Sequence, residues 1–245
     1  VWRLYRQEKI SGRSYCPRCL KKLWWHDNIP LFSYLRLGGR CRFCHQPISW
    51  QYPAVEVIVA GLFVFFWFKH LGFAWVDLET LSLFFNFDFW LALIRDYLAV
   101  FVLTVVFVFD LRFYLVSNAV VIPAALVFAG LNLLLGASWY VLFLGIAGAV
   151  AFFGLQFLVT RGRGLGEGDI WLGLLLASLF PDWSLLILAI LSAYLLGTIV
   201  GLVLIIAGRK EWSSKLPLGV FLAVGALITL AWGPALLTAY WSFQL

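Results

Sequence analysis

The sequence predicts an all-α polytopic membrane protein carrying a small cysteine-bearing domain at its N-terminal end, and three observations predict it. Apolar residues make up 63% of the 245 positions and charged residues only 12%, too few charges to cover a water-soluble globule of this length. Positions 53–245 are largely a succession of apolar stretches separated by short charged or glycine-rich breaks. Positions 1–52 differ: they hold all four cysteines and ten of the eighteen Lys and Arg, with no apolar run long enough to span. The chain therefore divides into a cytoplasmic four-cysteine metal-binding domain, 1–52, and a transmembrane domain, 53–245.

A spanning helix needs about 20 mostly apolar residues. By that measure about seven spans are expected, over 54–69, 97–109, 118–135, 139–160, 170–180, 185–207 and 218–243. The second is short and extends back into the apolar residues after Leu81, with Arg95 and Asp96 interrupting it. The fifth is also short and begins inside the preceding glycine-rich loop. Orientation follows from the positive-inside rule, with the cysteine domain placed in the cytoplasm. Its ten basic residues then share a side with Arg112, Arg161, Arg163, Arg209, Lys210 and Lys215, leaving only Lys69 and Arg95 on the other. Acidic Asp77, Glu79, Asp88, Asp96 and Asp182 collect on that far side. The net charge of +6 is read as this bias, not as the footprint of a nucleic-acid partner. The lack of any methionine, and a start inside a basic segment, suggest that the natural chain begins further upstream. No signal peptide is visible, so the first span is expected to serve as its own insertion signal.

Cys16-Pro17-Arg18-Cys19 and Cys41-Arg42-Phe43-Cys44 are two CxxC knuckles at a spacing close to that of zinc ribbons, so four thiolates can surround one tetrahedral Zn2+. Two disulfides are the competing reading. They are disfavoured in the reducing cytoplasm, where the topology puts the domain. Four cysteine ligands leave no open position for a catalytic water, which makes the metal structural. A small domain with little core gains its fold from such an ion. His26 and His45 are read as surface residues.

Two carboxylates stand out in the membrane domain. Asp110 follows the apolar run 101–109, and Asp169 closes Gly166-Glu167-Gly168 and leads into Ile170-Trp171-Leu172. An ionisable residue at a membrane helix is costly and is read as functional by default. Two carboxylates at one depth can share a proton, leaving one as base and one as acid. That is what an aspartic protease needs in order to activate water and protonate the leaving amine. Gly164, Gly166 and Gly168 would open backbone conformations closed to other residues and allow close approach to a peptide or helix. The plainer alternative makes both aspartates helix caps, Asp169 as N-cap before Ile170. Glu167 is read as a loop residue.

At these residues the chain resembles the type IV prepilin peptidase family, the leader peptidases and N-methyltransferases of type IV pilus and type II secretion systems. The resemblance runs through the CPRC knuckle, Leu23-Trp24-Trp25-His26-Asp27-Asn28-Ile29-Pro30-Leu31-Phe32-Ser33-Tyr34-Leu35, Gly39-Arg40-Cys41-Arg42-Phe43-Cys44 and Tyr52-Pro53-Ala54-Val55-Glu56. It continues through Asp110-Leu111-Arg112, Gly166-Glu167-Gly168-Asp169-Ile170 and Leu216-Pro217-Leu218-Gly219, covering essentially the whole chain. It implies cleavage of a basic leader from prepilins or pseudopilins at the cytoplasmic face of a bacterial inner membrane, with Asp110 and Asp169 catalytic and Gly166, Gly168, Pro217 and Gly219 shaping the site. It also implies methylation of the new N-terminus with S-adenosylmethionine, in which Glu56 would take part. From the residues alone, Glu56 can equally favour its helix N-terminus through the dipole. The family pattern has eight spans, one of them before the cysteines with a motif like Gly-Ser-Phe-x-Asn; this chain starts after it. Two further departures are Ser117-Asn118, where many members have a proline before Asp or Asn, and Trp171, where a lysine is common.

Three other classes compete. A transporter or channel with a structural zinc domain would place ionisable residues near the bilayer midplane and break helices in paired halves. A presenilin-like protease would show tyrosine before the first aspartate, where Phe109 stands, and a Pro-Ala-Leu motif near the end. A zinc-ribbon adaptor explains the cysteines and leaves the aspartates as coincidence.

Overall fold

The computed structural model describes residues 12–72, 83–162, 164–209, 211 and 216–242. Outside them lie the first eleven positions of the cysteine domain and Asp77, Glu79, Arg163, Lys210 and Lys215 of the charge count. The described residues contain a 3-10 turn, Trp25–Asn28, and eight α-helices: α1 Phe32–Arg36, α2 Gln51–His70, α3 Phe87–Phe113, α4 Asn118–Leu134, α5 Trp139–Thr160, α6 Glu167–Leu179, α7 Trp183–Ile206 and α8 Leu218–Ser242. The chain forms two compact units, Val1–Phe65 and Phe66–Leu245, whose boundary falls inside α2.

In the first unit each CxxC knuckle is built the same way. Leu20 N–H donates to the Cys16 carbonyl at 2.8 Å and Cys16 N–H to the Lys21 carbonyl at 3.0 Å; His45 to Cys41 and Cys41 to Gln46, both at 2.9 Å, repeat the pattern. The residue after the second cysteine of each knuckle turns left-handed, Leu20 at φ 58° and His45 at φ 54°. Isolated bridges Tyr15 to Lys22 and Arg40 to Pro47 close the two turns. Beside them Asp27 is gripped by Arg42 Nε and Nη2 at 2.5 to 3.2 Å, with the guanidinium over the Trp24 ring at 5.0 Å. The Arg42 hydrogen bonds hold the Asp27 carboxyl below the usual carboxylate range.

The second unit is a helical bundle. Among the described residues five helices, α2, α3, α5, α7 and α8, are long and apolar enough to cross a membrane, and α4 is a shorter apolar helix of 17 residues. The fifth expected span, α6, has 13 residues. At 1.5 Å per residue it covers about 20 Å of a hydrocarbon core about 30 Å thick. It is nonetheless central, touching α4, α5, α7 and α8 and burying Leu172, Gly173 and Leu175 through Leu179.

Surface chemistry follows the bilayer. Along α7 the large side chains Ile187, Leu191, Leu195 and Ile199, four apart, are exposed, whereas Ala189 and Ala193 are fully buried. Small residues inward and bulky ones toward lipid is the reverse of a soluble amphipathic helix, and it lets backbones approach. A Cβ on Gly225 of α8 would lie 2.6 Å from the Ala189 carbonyl oxygen, and one on Gly173 of α6 2.4 Å from the Phe153 ring.

Arg95 and Asp96 do not interrupt α3. Both sit inside it, and their charges are answered by partners. Asp96, 1% exposed, receives Arg95 Nε and Nη2 at 2.9 and 2.8 Å and faces His70 Nε2 at 2.9 Å. Arg95 Nη1 goes on to Asn132 Oδ1 at 3.1 Å, and Asn132 Nδ2 donates to the carbonyls of Ser178 and Leu179 at 2.7 and 3.1 Å. Lys69 donates to the Leu230 carbonyl. A pairing of this kind is what lets a helix keep charges within an apolar bundle. Two of the far-side acids have capping positions: Asp88 stands in the first turn of α3, and Asp182 is the N-cap of α7, accepting from Ser184 N–H at 2.7 Å.

Candidate active site and metal centre

Asp110 lies in the last turn of α3, about 21 Å along the helix from Asp96 by the rise per residue, and is 6% exposed. Its Oδ2 accepts from Val220 N–H at 3.1 Å. Val220 is the third residue of α8, so the carboxylate caps a helix N-terminus, where backbone N–H groups lack partners of their own and the dipole favours negative charge. Pro217 stands just before that helix and Gly219 is its second residue. A Cβ on Gly219 would come within 2.8 Å of Asp110 Oδ2 and 3.0 Å of Leu172. Glycine is what lets α8 reach the carboxylate.

Asp169 is the third residue of α6, and its Oδ2 accepts from Gly166 N–H at 3.0 Å. The helix begins at Glu167, inside the glycine-rich loop as expected, and its N-cap is Gly166, not Asp169. Asp169 thus reaches back to the cap from inside the helix, as the acidic member of a capping box does. Glu167 is an exposed first-turn helical residue, not a loop residue. Among the described residues Gly164, Gly166 and Gly168 do not take positive φ; Arg161 and Gly162 make the left-handed turn instead. Gly168 serves by contact, since a Cβ there would fall 2.7 Å from the Val116 side chain, whereas one on Gly166 would meet nothing closer than 3.8 Å.

Both aspartates line one cavity of about 1000 Å³. Leu216, Pro217, Gly166 and Gly168 border it too. Sequence reasoning passed over two of its polar groups: Gln156 of α5 and Tyr194 of α7, whose hydroxyl donates to Gln156 Oε1 at 2.8 Å. Each is one polar side chain in a long apolar run, with no motif around it. Two carboxylates sharing a cavity can hold one water between base and acid.

The other predicted site residues belong to the first unit. The sulfurs of Cys16, Cys19, Cys41 and Cys44 all lie within 4.8 Å of one another, Cys16 to Cys44 at 3.9 Å, and all four are free thiols. Sulfurs around a tetrahedral ion at a metal–sulfur distance of about 2.3 Å stand about 3.8 Å apart, whereas a disulfide holds them at about 2.05 Å. The geometry fits a shared metal ion. Burial disfavours the Cys16 thiolate, but the N–H groups of Cys19 and Arg18 outweigh it and bring the thiol down to about 7. Glu56 has a defined partner instead of serving only the helix dipole. Its Oε2 accepts from Leu31 N–H at 2.7 Å, and Leu31 has a left-handed φ of 59°.

Comparison with known proteins bears on both units. Residues 1–70 match the bacterial peptidase A24 N-terminal domain, and residues 97–202 match the type IV leader peptidase family. A protein of Pseudomonas aeruginosa named prepilin leader peptidase/N-methyltransferase is 31% identical over 96% of this chain and 76% of its own. Proteins of the same name from Aeromonas salmonicida, 31% identical over 97% and 77%, and Bacillus subtilis, 28% identical over 94% and 86%, are also similar. No solved structure matches the chain.

Proposed function

Given that the chain belongs to the type IV leader peptidase family, we propose that this membrane peptidase cleaves the leader of type IV prepilins or pseudopilins with Asp110 and Asp169 as its catalytic pair. The observation that carries the assignment is their placement on one cavity, each held at a helix N-terminus by a backbone N–H. One carboxylate, ionised, takes a proton from a water lying between them, and the hydroxide oxygen bonds to the scissile carbonyl carbon. The other, protonated, gives its proton to the carbonyl oxygen as the tetrahedral intermediate forms. Collapse breaks the C–N bond as the carboxyl that took the water proton gives it to the leaving amine and the other carboxylate takes a proton from a hydroxyl of the gem-diol, so the pair ends with the one proton it began with. Family membership leaves the transporter reading without support.

The proposal extends to orientation and cofactors. The cysteine domain and the cavity face the cytoplasm of a bacterial inner membrane, as the basic residues indicate. The 1–52 portion carries a structural Zn2+ on Cys16, Cys19, Cys41 and Cys44, and 53–245 carries the peptidase. Gly219 shapes the site by its close approach to Asp110, Gly168 by packing against Val116, Pro217 as part of the cavity lining, and Gly166 as the cap that Asp169 holds. The relatives' names include an N-methyltransferase activity, which supports methylation of the new N-terminal amine here. S-adenosylmethionine would supply the methyl group. Glu56 alone does not make a site for that cofactor, and the role its contact supports is holding Leu31 at the entry to α1.

The test is cleavage of a prepilin reporter in membranes by the wild type and by Asp110→Ala and Asp169→Ala. Both substitutions should abolish cleavage while leaving membrane abundance unchanged. Activity surviving either one removes that residue from the mechanism.

A further inference from the structure

Resting on the peptidase reading, the polar lining of the cavity points to how a substrate backbone is held. A peptide bond is open to attack only where the chain is extended, and a helix entering the cavity must unwind to offer one. Every unwound residue then exposes an N–H and a C=O that lipid and apolar side chains cannot satisfy. Tyr114, Asn118 and Glu167 also line the cavity. The hydroxyl protons of Thr160 and Thr198 are spent on carbonyls of their own helices, those of Gln156 and Tyr194, both at 2.8 Å, which leaves these two oxygens as acceptors only. Asp110 and Asp169 are reserved for water and the scissile group.

Gln156 is different. Its Oε1 accepts from the Tyr194 hydroxyl, and its Nε2 makes only a long bond, 3.3 Å, to the Phe152 carbonyl. A carboxamide has two N–H donors and an oxygen with two acceptor positions, so a donor and an acceptor position remain after these bonds. Gln156 and Tyr194 line the same cavity as Asp110 and Asp169. We propose that Gln156, oriented by Tyr194, hydrogen-bonds the main chain of the substrate's extended segment, donating to a carbonyl and accepting from an N–H next to the scissile bond. Gln156 is then a substrate-binding residue and Tyr194 a positioning residue.

The experiment uses the full chain in liposomes with a synthetic prepilin segment and with an analogue in which an ester oxygen replaces the main-chain N–H of a residue flanking the scissile bond. Gln156→Leu and Tyr194→Phe are each expected to lower kcat/KM for the amide substrate, roughly tenfold per hydrogen bond lost. The wild type should discriminate against one of the ester analogues by a similar factor, and Gln156→Leu should lose that discrimination. Tyr194→Phe should cost nothing further in the Gln156→Leu background, since the two act as one unit. Discrimination is a ratio on the same enzyme sample, so it does not depend on how much of a variant folds. Unchanged discrimination in Gln156→Leu, or additive losses in the double variant, overturns the proposal while leaving the peptidase intact. Cleavage by Asp110→Ala and Asp169→Ala, run alongside, would overturn the reading on which it rests.

Discussion

Gly219→Ala separates catalytic geometry from fold stability more sharply than removal of either carboxylate. The added methyl carbon would sit 2.8 Å from Asp110 Oδ2, 3.1 Å from its Cγ and 3.0 Å from Leu172 Cδ1. Restoring ordinary contact requires the carboxylate or the start of α8 to yield by about 0.6 Å, and the 3.1 Å bond from Val220 N–H lies on the same side. Losing a hydrogen bond to a charged group costs about 1.5–3 kcal/mol, and a displacement approaching 1 Å near reacting groups costs on the order of 100-fold in rate. Cleavage of a prepilin reporter should therefore fall by ~10- to 100-fold in kcat per folded molecule, with the unfolding midpoint in detergent lowered by no more than loss of that one hydrogen bond accounts for. Gly166→Ala is the matched comparison, because its methyl would lie 3.8 Å from Asp169 Oδ2, an ordinary contact, and it should keep most activity. Cleavage by Gly219→Ala within threefold of wild type would show that Asp110 does not depend on the approach of α8.

Two further expectations concern parts of the molecule remote from the carboxylates. Metal analysis of the purified chain should find one zinc ion per molecule, lost in Cys41→Ser, and limited proteolysis should then cut within 12–50; a metal-free wild type equally resistant to protease would refute a structural ion there. Asp96→Ala should destabilise the bundle by about 1.5–3 kcal/mol read from the unfolding midpoint, because it removes the charge-assisted hydrogen bonds of the half-buried Arg95 guanidinium, while cleavage per folded molecule is kept; an unchanged midpoint would show that the network contributes nothing to the bundle.

Long apolar helices were the most legible part of the fold. The span read at 139–160 has the bounds of α5, and 118–135 and 185–207 differ from α4 and α7 by a few residues at most. The bilayer explains this, since length and apolarity alone identify a helix that must satisfy its own backbone. Charge inside a helix was misread for the opposite reason. Arg95 and Asp96 look like a break when only neighbours in sequence are considered, and their partners, His70 and Asn132, come from other helices. The same holds for Glu56, whose partner Leu31 lies 25 residues earlier. That α6 starts inside the glycine-rich loop was legible, but its first residue was not, because Gly166-Glu167-Gly168 reads as loop by propensity. What overrides propensity is the Asp169 carboxylate returning to the Gly166 N–H, together with the packing of Gly168 against Val116. Gln156 and Tyr194 carried no legible signal, because a lone polar residue in an apolar run acquires meaning only from what faces it.

The two ends of the bundle divide its work along α3 and α6. At one end, Arg95 and Asn132 connect α3 through α4 to the last carbonyls of α6, a chain of bonds that runs from a half-buried guanidinium to a buried amide. At the other, the same two helices carry Asp110 and Asp169, and there the packing is done by glycines and by backbone N–H groups around an open cavity. A bond network spanning three helices fixes their spacing at the end where it lies, and rigid helices carry that spacing along their length. The carboxylates can therefore stand at a set separation without being bonded to each other, which leaves the space between them for water and an extended peptide. A direct tie between α3 and α6 at the cavity end would hold the aspartates as firmly and would fill that space.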